Sequence, residues 1–197
     1  PVVYKAGVEN YAYYESKGYD KQYSKDGVIW ADYECTFPEL SQNTTLYGHN
    51  WHNIYTPRTQ ANMQANDLMF SLVMSYNYTD FAQENPFVYF STTEQDYVFQ
   101  VFASYYTDLN FGYNYAQMSQ EDFQKVIAEA KAKSLSNYNV PVTSEDKIVT
   151  LSTCTRVHGN TNNQRFVVMA KLVPVGTPST TISTHSNPIA YNSSIDA

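Results

Sequence analysis

Two apolar strands joined by a polar decapeptide constrain this chain more than any other feature. KIVTLSTC (147–154) and RFVVMAKLV (165–173) are dense in β-branched residues, and the ten residues TRVHGNTNNQ between Thr153-Cys154 and Arg165 hold Gly159-Asn160 in a run of turn formers. The pair reads as an antiparallel hairpin in which Cys154 ends one strand and Arg165 opens the next. Side chains at such opposed positions have Cβ atoms about 5 Å apart. Within the first strand Val149, Leu151 and Thr153 share one face, while Ile148, Thr150, Ser152 and Cys154 share the other. The alternation therefore takes the sulfur off the core face, although free cysteine is by habit a buried residue.

Further strands are predicted at Gly27 to Tyr33, Thr45 to Asn50, Pro86 to Thr92 and Tyr97 to Thr107, which makes the domain mainly β. The 19 tyrosines and ten phenylalanines agree with strands and aromatic-lined surfaces rather than a helical bundle. Accessory helices interrupt this pattern. Between Thr107 and Lys147 the period changes, and Phe123, Val126, Ile127 and Ala130 form a helical stripe with Ser119 as cap and acids in the first turn. A second helix is predicted near Ala65 to Met74. The chain has 197 residues and one core's worth of apolar content, so residues 1–175 read as one compact domain. Residues 176–197 contain eleven Ser, Thr or Asn and read as a polar C-terminal tail.

The formal charge of −7 and the presence of only three arginines argue against nucleic acid as a partner, because phosphate binding needs clustered positive charge. Two cysteines, Cys35 and Cys154, do not make a disulfide framework, and a scarce thiol in such a chain fits a reserved function at least as well as one bridge.

A guanidinium beside a thiol favours the thiolate and can hold the oxyanion formed when that thiolate attacks a carbonyl. The leaving group then needs a proton donor, for which imidazole is suited near neutral pH. Of the four histidines, His49 ends its own predicted strand on the face of Thr45 and Tyr47, a placement like that of Cys154. His52, His158 and His185 lie in loops or the tail. A zinc reading also exists: His49 and His52 have ligand-like spacing, and Cys154 with His158 would complete four ligands, but no second cysteine or carboxylate nearby tightens the pattern. No metal or other cofactor is expected.

TLSTC (150–154), YGHN (47–50) and the arginine of QRFVVMAKL (164–172) together resemble the three signature segments of the sortases, cell-wall transpeptidases of Gram-positive bacteria. Ser152 in the variable position, the YGHN motif, the long helix before the cysteine strand and the stretch YYESKGYDKQYSKDGVIWADYE (13–34) are similar to class B. The resemblance implies a sortase-type closed β-barrel with the long helix inserted before the strand that carries the nucleophile. It implies Cys154 as nucleophile, His49 as general acid and base, and Arg165 as oxyanion stabiliser, with Ser152, Thr153, Thr155, Asn50 and the segment from Tyr113 to Val142 at the substrate. The substrate would be the C-terminal sorting-signal peptide of a surface protein or pilin, cut after Thr, and the acceptor an amine of a cell-wall precursor or pilin. The enzyme would work on the extracellular face of the membrane, with its N-terminal anchor and first helices preceding Pro1.

Arg156, two residues past the nucleophile, competes with Arg165 for the oxyanion role if the strand continues. A cysteine endopeptidase would use the same three groups for hydrolysis, and a non-catalytic aromatic-rich module would bind peptide or glycan and leave the thiol idle. In the tail, NPIAY (187–191) begins like a class B sorting signal, so a pseudo-substrate lying in the catalytic cleft is a further expectation.

Overall fold

Strands form where the sequence is densest in β-branched and aromatic residues. The computed structural model describes residues 1–189. Its strands are β1 (Val2–Val3), β2 (Ile29–Ala31), β3 (Asn43–Tyr47), β4 (Phe87–Ser91), β5 (Asp96–Asp108), β6 (Ser136–Asn137), β7 (Ile148–Cys154), β8 (Gln164–Val173) and β9 (Ser183–Thr184). Seven of them make one sheet in the order β1-β2-β3-β7-β8-β5-β4, and β6 pairs with β9 in a second. The predicted hairpin is present, with β7 antiparallel to β8 and Cys154 opposite Arg165. On its other side β7 runs parallel to β3, with Tyr47 opposite Ser152.

The sheet curls until its outer strands approach each other. Tyr4, just past β1, stacks edge-on to Phe37 at 5.0 Å, and Phe37 meets Phe90 of β4 at 6.2 Å. On that side the barrel is closed by aromatic rings; among the described residues β1 and β4 share no backbone ladder. The core draws on Phe99, Val101 and Tyr105 of β5, Val149 and Leu151 of β7, and Phe166 and Val168 of β8.

Strand alternation predicts one core face for β7, yet every residue from Ile148 to Thr153 is buried. The second face is covered by the segment that follows β5. Asn43 donates its Nδ2 to Tyr113 O at 2.8 Å, Thr150 Oγ1 donates to Asn43 Oδ1 at 2.7 Å, and Ser152 Oγ lies 2.8 Å from Tyr113 OH. A buried face made of hydroxyls and amides is stable only when they pair with one another, and here they do.

Helix α2 (Gln120–Lys133) lies before β7 as expected: Ser119 accepts from Asp122 N, Glu121 and Asp122 occupy the first turn, and Phe123, Ile127 and Ala130 are buried. Of the helix predicted at Ala65 to Met74, residues 65–70 are not helical. There Asp67 turns its carboxylate to Arg58 Nε at 3.0 Å and to the backbone N–H of Gln64 at 2.8 Å, and Met69 takes φ +54°, both of which stop a helix. Helical backbone resumes as a 3-10 segment, Ser71–Asn77, followed by α1 (Thr79–Glu84).

Residues 177–189 do not trail into solvent. They cross back over the end of α2, where His185 N donates to Leu135 O at 3.0 Å and Ile189 N to Ala132 O at 3.0 Å. Ile182 is buried, and its N–H donates to Gln83 Oε1. Backbone carbonyls at a helix C-terminus need donors, and this strap supplies them. Asn187, Pro188 and Ile189 thus rest beside α2, outside the cleft described below, and the remainder of NPIAY lies outside the described residues.

Candidate active site

One cavity of about 370 Å³ opens on the sheet where β2, β3, β7 and β8 run side by side. It brings together Cys154, His49 and Arg165, three residues from three segments separated by 105 and 11 positions in the chain. Ser152 and Thr153 also line it, as do Tyr11, Glu15, Trp30, Asp32, Tyr47, Tyr113 and Asn114.

Cys154 is the one half-exposed residue of β7. Arg165 is its partner in the ladder, which places the guanidinium's stem beside the thiol. Arg165 Nη1 donates to Asn162 O and to Gln164 O, both at 2.9 Å, so two of the five N–H donors hold the fork in place. Among the described residues Nε and Nη2 have no partner, which leaves donors for an oxygen arriving in the cleft.

Arg156 is drawn elsewhere. The strand stops at Cys154, Arg156 N donates to Ile54 O, and its guanidinium donates to Tyr55 OH at 3.2 Å and Asn162 Oδ1 at 2.8 Å. It is not among the residues that line the cleft. The condition for competing with Arg165, a strand that continues past Cys154, is not met.

β3 ends at Tyr47, two residues before His49, so the histidine sits on a loop rather than at a strand end. Phe70 N donates to His49 O at 3.0 Å, and Phe70 packs so closely on Gly48 that a Cβ there would stand 2.7 Å from the ring. The imidazole lies near Trp51, with centroids 5.0 Å apart, and Trp30 at 6.0 Å. Its Nε2 is 2.6 Å from Glu15 O.

Two of the four residues expected at the substrate lie elsewhere. Asn50 is buried, donating Nδ2 to Cys154 O at 3.1 Å and accepting from Asn53 N at 3.0 Å, so it ties the histidine loop to the end of the cysteine strand. Thr155 is buried against Ile54 O. Neither lines the cleft: Asn50 is turned inward on the loop after β3, and Thr155 follows the end of β7. Thr153 lines it but donates its hydroxyl to Gly48 O at 2.7 Å, a bond that joins β7 to the loop carrying His49. Of the segment from Tyr113 to Val142, Tyr113 and Asn114 reach the cleft and α2 does not.

The floor beyond the thiol holds a polar relay that sequence reasoning missed. Asn114 Nδ2 donates to Tyr47 OH at 2.9 Å, and Tyr47 OH donates to Asp32 Oδ2 at 2.7 Å. Burial pushes Asp32 above the ordinary carboxylate range, offset in part by its bonds from Glu34 N and Tyr47 OH. Burial likewise raises Tyr113, against the pull of its bond to Ser152 and the nearby Arg165 charge. Tyr47 shares the face of Thr45 by alternation and could have been found that way; Asp32 and Glu15 have no local signal.

His158, a candidate zinc ligand, packs edge-on against Tyr106 at 4.8 Å. Among the described residues no group of three or more His, Cys, Asp or Glu side chains is placed to hold a metal ion.

Residues 3–173 match the Sortase domain family. Sortase B of Staphylococcus aureus is 29% identical over 163 residues, 82% of this chain and 61% of that protein, and sortase B of Listeria monocytogenes is 29% identical over 162 residues, 82% and 60%. The chain thus spans about three fifths of the length of these curated relatives. Among solved structures, a Staphylococcus aureus sortase B–substrate complex superposes with a TM-score of 0.71 at 28% identity, covering 89% of this chain and 74% of that one. Clostridium perfringens sortase B gives 0.70 at 26%, covering 88% and 86%. With the barrel, the cleft and the match over nearly all of the described residues in agreement, the chain belongs to the sortase family, on its class B branch.

Proposed function

We propose that this chain is a cysteine transpeptidase that cuts a C-terminal sorting signal and transfers the acyl part to an amine. The observation that carries the reading is the convergence of Cys154, His49 and Arg165 on a single cleft. Cys154 thiolate attacks the carbonyl carbon of the scissile amide, and Arg165 holds the oxyanion. Collapse breaks the C–N bond, His49 gives its proton to the departing amine, and a thioester remains on Cys154. An incoming amine then attacks that carbonyl, loses a proton to His49 and expels the thiolate. One amide is broken and one formed, so no cofactor is consumed.

A sortase B has been solved with substrate and another with triglycine, which supports an extended signal peptide as donor and a small primary amine as acceptor. Cleavage after Thr, a cell-wall precursor or pilin amine as acceptor, an N-terminal anchor and action at the outer face of the membrane complete the proposal. Ser152 and Thr153, just before the nucleophile on β7, would contact the peptide, in a catalytic domain of residues 1–175.

The test is to incubate the protein with a library of signal-like peptides, with and without added triglycine, and to follow products and intact protein by mass spectrometry. A thioester on Cys154 and an amide product that needs the amine are expected, and both vanish in Cys154→Ala. Turnover that survives Cys154→Ala would overturn the mechanism. Hydrolysis unaffected by the amine would make it an endopeptidase.

A further inference from the structure

His49 and Gly27 are 22 positions apart in sequence, and the fold brings them side by side. His49 Nε2 lies 2.6 Å from Glu15 O. A carbonyl only accepts, so Nε2 carries the hydrogen, and in the neutral ring Nδ1 is the basic nitrogen. Glu15 is held by its own segment: its N–H donates to Ala12 O, Ser24 N donates to Ser16 O, and Lys17 bridges Tyr23. Gly27 closes the arrangement. It has φ +59°, and a Cβ on it would stand 2.8 Å from Glu15 O, 3.1 Å from His49 Cδ2 and 3.2 Å from Tyr14 O. Two of those three atoms are backbone and cannot swing away.

We infer that Gly27 is a positioning residue for His49: by having no side chain it lets the Glu15 carbonyl reach His49 Nε2, which fixes the ring's tautomer and presents Nδ1 as the nitrogen that exchanges protons at the reacting bond. The backbone carbonyl thereby does for His49 what a carboxylate does in a Ser-His-Asp triad, orienting the ring and selecting its tautomer. Trp30 and Trp51 limit the ring's sideways freedom, so the carbonyl is what selects between its two flipped orientations.

The inference rests on the proposed role of His49, and one arm of its test does not depend on catalysis. Imidazole ¹⁵N correlation spectra of the labelled chain, recorded with the ring neutral and without substrate, should show His49 as the Nε2–H tautomer; an Nδ1–H tautomer would overturn the inference. In Gly27→Ala the ring should lose that single tautomer. The rate of Cys154 acylation should then fall about 10²-fold with KM little changed, as misplacement of a reacting group does. Gly176→Ala is the control for backbone strain, since Gly176 has φ +86° with nothing within 4 Å of its would-be Cβ, and it should leave the rate unchanged. A folded Gly27→Ala with wild-type tautomer and rate would overturn the proposal. If that variant does not fold, Gly27→Asn, which tolerates the left-handed region, replaces it; if neither folds, the wild-type tautomer alone decides. A wild-type chain with the Nε2–H tautomer but no acyl transfer would defeat the proposed function and leave the tautomer selection standing.

Discussion

The two thiols of this chain differ by environment rather than by chemistry. Cys35 is buried beside Asp32 and Glu34, and burial pushes it up to about 12. Cys154 stands half exposed in the cleft beside Arg165. Thiolate character and access together set reactivity. Iodoacetamide at pH 8 should therefore alkylate one thiol of the native protein, Cys154, and both after unfolding, as read by intact mass; rapid native labelling of Cys35 would contradict the burial. The arginines divide in the same way. Arg165→Ala should lower the acylation rate on the order of 10²-fold, the loss expected for an oxyanion donor. Arg156→Ala, which removes contacts to Tyr55 and Asn162 outside the cleft, should stay near wild type. Peptide turnover by the two variants gives the ranking, and the reverse order would move the oxyanion role to Arg156.

At the scale of elements, what was legible was what local pattern decides. The β7–β8 hairpin announces itself through β-branched runs and a polar turn, and α2 through a stripe with a serine cap, because those signals act within a few residues. His49 and Cys154 stood out as candidates near the ends of such runs, although β3 stops two residues short of His49. The helix expected at Ala65 to Met74 was not decided locally: Arg58 reaches across and takes the carboxylate of Asp67. Nor were Glu15 and Gly27, whose contact with His49 exists only after the chain has folded back. The strap after Gly176 is the clearest case. Its composition is that of a solvated tail, yet it supplies the donors that the end of α2 lacks and buries Ile182. Ile182→Ala should consequently cost about 2 kcal/mol, the lower range for truncating a buried aliphatic side chain. Peptide KM should not change, since the strap lies outside the cleft. Urea melts and steady-state kinetics check both; a neutral effect on stability would mean that the strap is not held.

For the whole molecule, the polar relay beneath the cleft ties the site to the stability of the barrel. Asp32 follows β2, bonds Tyr47 of β3, and through Tyr47 meets Asn114 on the segment that covers β7. The end of β2, β3 and the covering segment are thereby held together under the cleft, by a carboxylate whose ionised form burial disfavours. The sign of the linkage follows. Because the folded-state pKa of Asp32 is raised above its unfolded value, its ionisation opposes folding. That cost is absent at pH values below the unfolded carboxylate range, and it is fully present once pH exceeds the raised folded value. Asp32→Asn keeps an oxygen to accept from Tyr47 OH and abolishes the titration. The difference in melting temperature, variant minus wild type, should thus grow as pH rises through and above the ordinary carboxylate range. Taking the difference cancels the contribution of the chain's other titrating groups, including the general charge of −7. A difference flat in pH would mean that Asp32 remains solvated in the fold, and that the relay owes its place to hydrogen bonding alone.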